Sequence, residues 1–377
     1  MEITPEISIC IQDYFGELED PREEINKRHR LDEILLIALC SVLTGGETFE
    51  DMADFGRAKE AWLRTFLKLD YGIPSHDTFR RIFCLLKPES FLDCLIQWTQ
   101  SIREKISGEI VAIDGKSLRR SGKTKETMVH LVSAWATTNR LVLGQIKVEN
   151  KTNEITAIPH LLRALELSGC IVTLDAMGCQ KNIAKEIAEA DAEYVLALKG
   201  NQGIAREEVR TFLDEAIGRN EAHLKHHQDI SKDHGRIETR RAWISEKIDW
   251  FTDRKAWENL RSIGVIESRR EVIGGETTTE RRYFLCSIPA DAKRFAHAVR
   301  SHWAIENTLH WVLDVSLQED QARVRSGYAA ENFALLRKFA LNVIRKDRSA
   351  KRKSVKGRQK CAAWSNAYLF TLLGLEG

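Results

Sequence analysis

Between residues 109 and 198, short apolar runs alternate with amphipathic stretches, and an alternation of this kind leaves few folds open. Residues 109–113 read as a strand followed by a loop rich in Gly and Lys. Residues 129–136 and 141–148 are β-rich and flank Thr138-Asn139-Arg140, a composition that predicts a hairpin. Amphipathic helices are predicted over 153–167, with Pro159 as an early kink or second start, and over 181–190. The runs 170–174 and 194–198 are continuously apolar, as strands covered on both faces are. The order β-β-β-α-β-α-β predicts a mixed sheet flanked by helices, with an antiparallel meander ahead of the βαβ units.

The first hundred residues read differently, as helices. An apolar segment over 31–43 ends at Gly45-Gly46. Thr48 then caps a helix presenting Phe49, Met52, Phe55 and Trp62, and a third helix carries Arg80 and Arg81. Three short helices with paired arginines on the last fit a helix-turn-helix-like bundle, or equally a helical packing domain with solvated arginines. Residues 201–290 interrupt the α/β pattern. They hold a charged helix (206–217), a polar stretch with His223, His226, His227 and His234, and β-like runs at 238–244, 263–272 and 283–287, with Gly274-Gly275 as a turn. Helices are predicted over 290–315 and 329–344. The expected organisation is therefore a helical unit over 1–105, a core from 106–203 and 288–345, a β-rich insertion over 204–287, and a basic arm with a final helix over 346–377.

Composition excludes several classes. A chain of 377 residues with 9 Trp, 14 Phe and 6 Tyr is too aromatic for disorder. No run reaches the ~18 apolar residues of a membrane span, so no membrane partner is expected. The start lacks a basic region followed by an apolar one, so no secretory signal is expected. The 8 cysteines include no CxxC pair, which fits reduced thiols in a cytoplasmic protein better than a disulfide frame or zinc knuckle. The net charge of +2 hides an uneven distribution: residues 345–360, centred on Lys351, Arg352 and Lys353, hold nine basic residues and one acid. Such a run on an otherwise acidic body reads as an arm for a polyanion, most naturally nucleic acid, or as a solvated connection before the last helix.

Two acids stand just past apolar strands: Asp114 in VAIDGKS and Asp175 in IVTLDAM. In an open sheet with crossover helices, the carboxyl ends of strands line the ligand crevice. On the long helix His302, Glu306 and His310 are spaced i, i+4, i+8 and share a face that Asp314 continues, while Trp303, Leu309 and Trp311 lie opposite as candidates for packing on the sheet. Two strand-end aspartates and a helical glutamate supply the oxygen ligands that a pair of hard divalent cations takes in phosphodiester displacement. A rival reading makes His302, Glu306 and His310 ligands of zinc or iron, but it lacks a second ligand source and no HExxH occurs. A third leaves Glu306 in an ordinary ion pair.

AIDGKSLRRSG, TLDAMGCQKNIAKEI, YVLALKGNQG, HGRIETRR and RSHWAIENTLHWVLDVSLQEDQARVRSGYAAENFALLRKFALNVIR resemble the motifs of DDE transposases of the H-repeat-associated type, encoded by bacterial insertion sequences. LDEILLIALCSVLTGGETFEDMADFG and GIPSHDTFRRIF resemble the helical domain attached to that core, and the likeness runs in order over nearly the whole chain. The resemblance implies a ribonuclease-H-like core, a β-rich insertion between the second Asp and the Glu, and a DDE triad of Asp114, Asp175 and Glu306. It implies Mg²⁺ or Mn²⁺, two ions per site, which would serve to cut transposon ends and join the freed 3′-hydroxyl to target DNA. Broader relatives carry Tyr, Arg and Lys at positions falling here on Val299, His302 and Leu313, so His302, Lys199 or Arg300 would substitute as phosphate contacts. Double-stranded DNA, as terminal inverted repeats and target, is the implied partner, with two copies of the chain in the synaptic complex. Arg119, Arg120, Lys123, Lys199, Arg236, Arg240, Arg241 and the 345–360 arm are the expected contacts. Two further readings keep the site but change the role: a repurposed or inactive DNA-binding copy, and a metal-dependent nuclease without strand transfer.

Overall fold

The computed structural model describes residues 11–124, 127–148, 154–233, 235–272, 275–349 and 352–375. Its amino-terminal part is helical: α1 (Ile11–Gly16), α2 (Leu31–Leu43), α3 (Phe49–Ala58), α4 (Glu60–Leu63), α5 (His76–Leu85) and α6 (Pro88–Ile102). The sequence signals account for several of the ends. Thr48 and Asp51 form a reciprocal capping box at the start of α3, and Ser75 caps α5. Pro88 opens α6, where its missing N–H costs nothing.

The α/β part begins with the antiparallel meander β1 (Ile110–Ser117), β2 (His130–Ala136) and β3 (Leu141–Val148). Crossover helices α7 (Glu154–Ala164) and α8 (Lys181–Glu189) then lead to β4 (Ile171–Leu174) and β5 (Glu193–Leu198), parallel to β1. This is a ribonuclease-H-like core. After α9 (Gly203–Gly218) come β6 (Lys225–Asp233), β7 (Arg236–Ser245), β8 (Ser262–Val272) and β9 (Thr277–Cys286). They join the same sheet, because the apolar end of β9 pairs with β5. One nine-stranded sheet results, in the order β3-β2-β1-β4-β5-β9-β8-β7-β6. The β-rich insertion is thus a continuation of the core sheet. Its polar, His-rich segment is the edge strand β6, whose alternation is masked because neither face is buried as in a core strand. Gly274 and His234 lie outside the described residues.

The remaining helices are α10 (Ala292–Ile305), α11 (Trp311–Val315), α12 (Ala329–Lys346), α13 (Val355–Trp364) and α14 (Asn366–Leu373), with the π-helical turn 306–310 joining α10 to α11. One sheet face is covered by α7, α8 and α9; α10 lies on the other, with Phe295 among Ile110, Ile171, Val195 and Phe284. α10 sits close to the sheet because β8 carries Gly264 beneath it. A Cβ there would stand 2.6 Å from the Phe295 ring. α12 is buried along its length and completes the core of the amino-terminal helices: Phe333 stacks on Phe49 at 5.6 Å and Phe339 on Phe91 at 5.2 Å. The helical unit and residues 305–344 therefore share one hydrophobic core. Among the described residues no helix is long and apolar enough to cross a membrane.

Candidate metal and nucleic-acid site

β1 and β4 run parallel with Ile113 opposite Leu174, so Asp114 and Asp175 occupy the next, corresponding positions. Asp175 lies just past β4, whereas Asp114 is inside β1, which continues to Ser117 by pairing with β2 where a loop was expected. Glu306 reaches the same place from the end of α10. All three line one cavity of about 200 Å³, together with Lys199, Arg282, His302 and Trp303. Asp175 is fixed by its own turn, accepting hydrogen bonds from the amides of Met177 (2.9 Å) and Gly178 (3.4 Å). One ligand atom each from Asp114, Glu306 and His310 lies within 4.8 Å of the others. Oxygen donors at this spacing, in a cavity with a third carboxylate on its wall, suit a divalent cation.

The electrostatics point the same way. Burial, reinforced by the neighbouring charges of Glu306 and Asp175, raises the Asp114 pKa to about 7. Three carboxylates left uncompensated would repel one another; cations relieve that. On the same side of β1, two residues on, Lys116 bonds the Asp314 carboxylate and Glu319 Oε2 (2.7 Å). Burial would raise the Glu319 pKa, but Lys338 and Lys116 overcome it and hold the group at about 2. This ion cluster ties β1 to the end of the helix that carries Glu306. The other side of β1 is equally constrained: His130 links Ser117 Oγ (3.0 Å) to the Glu154 carboxylate. Gly115 lies between them, and a Cβ there would stand 2.6 Å from Glu154 and 2.9 Å from His130.

The structure corrects the expected roles on the long helix. Trp303 and Trp311 do not anchor it to the sheet; they are 48% and 55% exposed. Ala298, Val299, Ile305, Leu309 and Leu313 form its buried stripe instead, and the indoles fall on the flank. Trp303 carries the Arg282 guanidinium 4.1 Å from its ring. His302 is turned inward, 3.0 Å from Thr173 Oγ1 on β4, and burial pushes its pKa down to about 4. A neutral ring of that kind tethers helix to strand rather than gripping phosphate.

A groove of about 620 Å³ opens beside the cavity and shares Arg282, Trp303 and Glu306 with it. Arg236, Arg240 and Arg300 line it, joined by Arg270 and Lys293, which the sequence had not singled out. Arg240 and Arg300 are partly neutralised there by Glu238 (2.5 Å) and Asp229 (2.7 Å). Arg241 is separated from this set, because successive strand residues face opposite ways; it meets Gln228 and Glu267. Lys199 is exposed on the rim of the cavity, and Arg119, Arg120 and Lys123 are exposed beyond β1, Arg119 pairing with Asp320 at 3.1 Å. Arg80 and Arg81 are exposed on α5, remote in sequence, with Arg80 paired to Asp77.

The 345–360 run is not a free arm. Arg345 bonds the Thr308 carbonyl and lies over Trp135, and Arg358 is buried against the carbonyls of Ile344 in the last turn of α12 and of Asp347 just after it. Arg352 and Lys353 are exposed, and Lys351 lies outside the described residues. Lys116, Arg282 and His310 are the site residues that sequence reasoning missed or set aside. Lys116 was missed because the sequence reading ended the strand at 113; β1 continues to Ser117, so Lys116, two positions past Asp114, shares its face.

Comparison with known proteins gives the chain its family. A family model described as Transposase DDE domain matches residues 106–343, and one described as DDE_Tnp_1-associated matches 12–99. The chain is 39% identical over 368 residues to the "Putative transposase YncI" of Escherichia coli O157:H7, covering 96% of this chain and 93% of that one. It is 35% identical over 376 residues to the "H repeat-associated putative transposase YhhI" of Escherichia coli strain K12, covering 97% and 98%. An uncharacterised protein of the dhlA 3′ region in Xanthobacter autotrophicus is 45% identical over 283 residues, 74% of this chain and 94% of its own. Among solved structures, the piggyBac transposase synaptic complex with hairpin DNA aligns at a TM-score of 0.40 and 13% identity over 97% of this chain and 77% of that one, too distant to argue from. With a catalytic-domain match from strand β1 through helix α12 and relatives aligned end to end, the chain belongs to the DDE transposases of the H-repeat-associated type, metal-dependent enzymes acting on DNA.

Proposed function

We propose that this transposase cuts the ends of its insertion sequence and joins the freed 3′-hydroxyl to target DNA, with Asp114, Asp175 and Glu306 as the residues that hold Mg²⁺ or Mn²⁺, two ions per site. The observation carrying the reading is the convergence of two register-matched aspartates, one within β1 and one just past β4, and a helical glutamate on one cavity that opens into an arginine-lined groove. Bound divalent cations supply activation of the attacking oxygen and charge neutralisation at the leaving one. The protein's own contribution is positional. Asp114 and Asp175 are placed by sheet register, and Glu306 by a helix clamped through Lys116, Asp314 and Glu319. Arg236, Arg240, Arg270 and Arg282 would hold the phosphates of a strand leading into the cavity, and Lys199 those at its mouth. Arg300 lines the same groove, and the exposed Arg80, Arg81, Arg119, Arg120, Lys123, Arg352 and Lys353 would supply further phosphate contacts. Synapsis of two ends would use a homodimer. The 7 described cysteines are free, which supports a reducing compartment, the cytoplasm with its nucleoid.

The test is incubation of the purified protein with Mg²⁺ or Mn²⁺ and a labelled duplex carrying the element's terminal inverted repeat. End-specific nicking and strand joining are expected, lost in D114N, D175N and E306Q while DNA binding survives. Binding without cleavage would instead mark a repurposed DNA-binding protein, and cleavage without end specificity a general nuclease.

A further inference from the structure

We propose that His310 is a direct ligand of the cation held between Asp114 and Glu306, making that metal site a mixed oxygen–nitrogen set. The proposal rests on the catalytic reading above and adds to it a ligand that the acidic triad does not contain. His310 follows Glu306 by four residues within the π-helical turn 306–310, a widened geometry that often marks functional sites in helices. Its Nδ1 stands 3.7 Å from Asp114 Oδ2 and 3.5 Å from Glu306 Oε2.

Those separations are long for hydrogen bonds, whose N···O distances fall near ~2.7–3.2 Å. They are the separations of atoms sharing an ion: ligands about 2.1 Å from one cation stand roughly 3 to 4.2 Å apart for angles between right and straight. The ring is enclosed, with 6% of its surface exposed, and its Nε2 has no hydrogen-bond partner among the described residues. Nδ1 is the nitrogen that faces the site, with the two carboxylates as its neighbours, and a cation between them would satisfy all three groups at these separations. The helix's other inward ring, His302, is already engaged by Thr173 on β4. Asp175 faces the cavity from the end of the neighbouring strand β4 and is not part of the three-atom cluster, which leaves it to serve a second ion.

An imidazole nitrogen suits transition-metal ions and suits Mg²⁺ poorly. The chain should therefore favour Mn²⁺ over Mg²⁺ by a margin that His310 sets. The full-length protein, prepared with natural-abundance and with ¹⁵N-labelled histidine, is loaded with Mn²⁺ alone and examined by electron spin-echo envelope modulation. Directly bound nitrogen is expected, changing character on ¹⁵N labelling; because the unaltered chain gives this readout, no variant has to fold. In H310Q the coupling disappears and the Mn²⁺ dissociation constant rises at least about tenfold, with a much smaller change for Mg²⁺, whereas H302Q keeps the coupling. Mn²⁺ bound in an Asp114-dependent way without nitrogen coupling overturns the proposal and leaves the catalytic reading standing. Mn²⁺ that fails to bind, or binds D114N equally well, overturns both.

Discussion

Asp114 keeps its proton to about pH 7 in the folded, metal-free chain, whereas an unfolded chain gives it up near ~3.9. Over that window the native state binds more protons than the unfolded one, so raising the pH through it lowers stability. About three units of displacement correspond to at most about 4 kcal/mol. D114N removes the ionisable group while keeping its shape. In EDTA it should melt above the wild type at pH 8, with the gap closing toward pH 4; thermal unfolding across that range measures it. Superimposable melting profiles would show that the carboxylate is not destabilising. Divalent cation should raise the melting temperature of the wild type at pH 8 and leave D114N nearly unmoved. Gly115 sets a limit of a different kind. G115A would drive a methyl into Glu154 and His130, and the shift of β1 should cost about 1–3 kcal/mol in denaturant unfolding.

At the scale of elements, what holds Glu306 in place is the link between β1 and the helix that ends at Val315. Lys116 is the centre of that link, and Glu319 beneath it has no side-chain exposure. K116A leaves this carboxylate with Lys338 at 3.7 Å as its nearest cation and should destabilise the fold by about 3–5 kcal/mol. Acid stability reports the same cluster. Because the Glu319 pKa is depressed to about 2, its contribution is present above the unfolded value near ~4.3 and fades as pH falls toward 2; K116A should lose part of that dependence in acid titration followed by circular dichroism. The strand-helix order and the positions of both aspartates and the glutamate were readable in the sequence because apolar runs fix strands, although β1 continues past Asp114 to Ser117, where its polar second half gave no strand signal. β6 was not, since a polar edge strand has no buried face to impose alternation. Nor were the exposed tryptophans, because helical spacing shows which residues share a face but not which face the sheet will cover. The 345–360 run misled for the opposite reason: charge count cannot reveal that Arg345 and Arg358 spend their donors on buried carbonyls.

At the scale of the molecule, the sheet divides the basic residues of the insertion between two surfaces. Arg236 and Arg240 share a face of β7 with the groove that reaches Glu306, and Arg270 joins them from β8; Arg241 lies on the face covered by α9 with Glu267 and Arg281. If DNA follows the groove, each phosphate neutralised adds about 0.9 to the slope of log affinity against log salt. Replacing Arg236, Arg240 and Arg270 by Ala should flatten that slope by two to three, about 0.9 for each lost contact, and weaken binding to any duplex alike, since phosphates carry no sequence information. R241A should leave the slope unchanged. Fluorescence anisotropy across a salt series measures both. The pairing of Arg240 with Glu238 sharpens the expectation, because binding must displace or share that carboxylate, so E238Q should tighten DNA binding most at low salt, where the removed repulsion is least screened. An R241A slope that falls as far as the triple variant's would place the DNA on the other side of the sheet, away from the carboxylates.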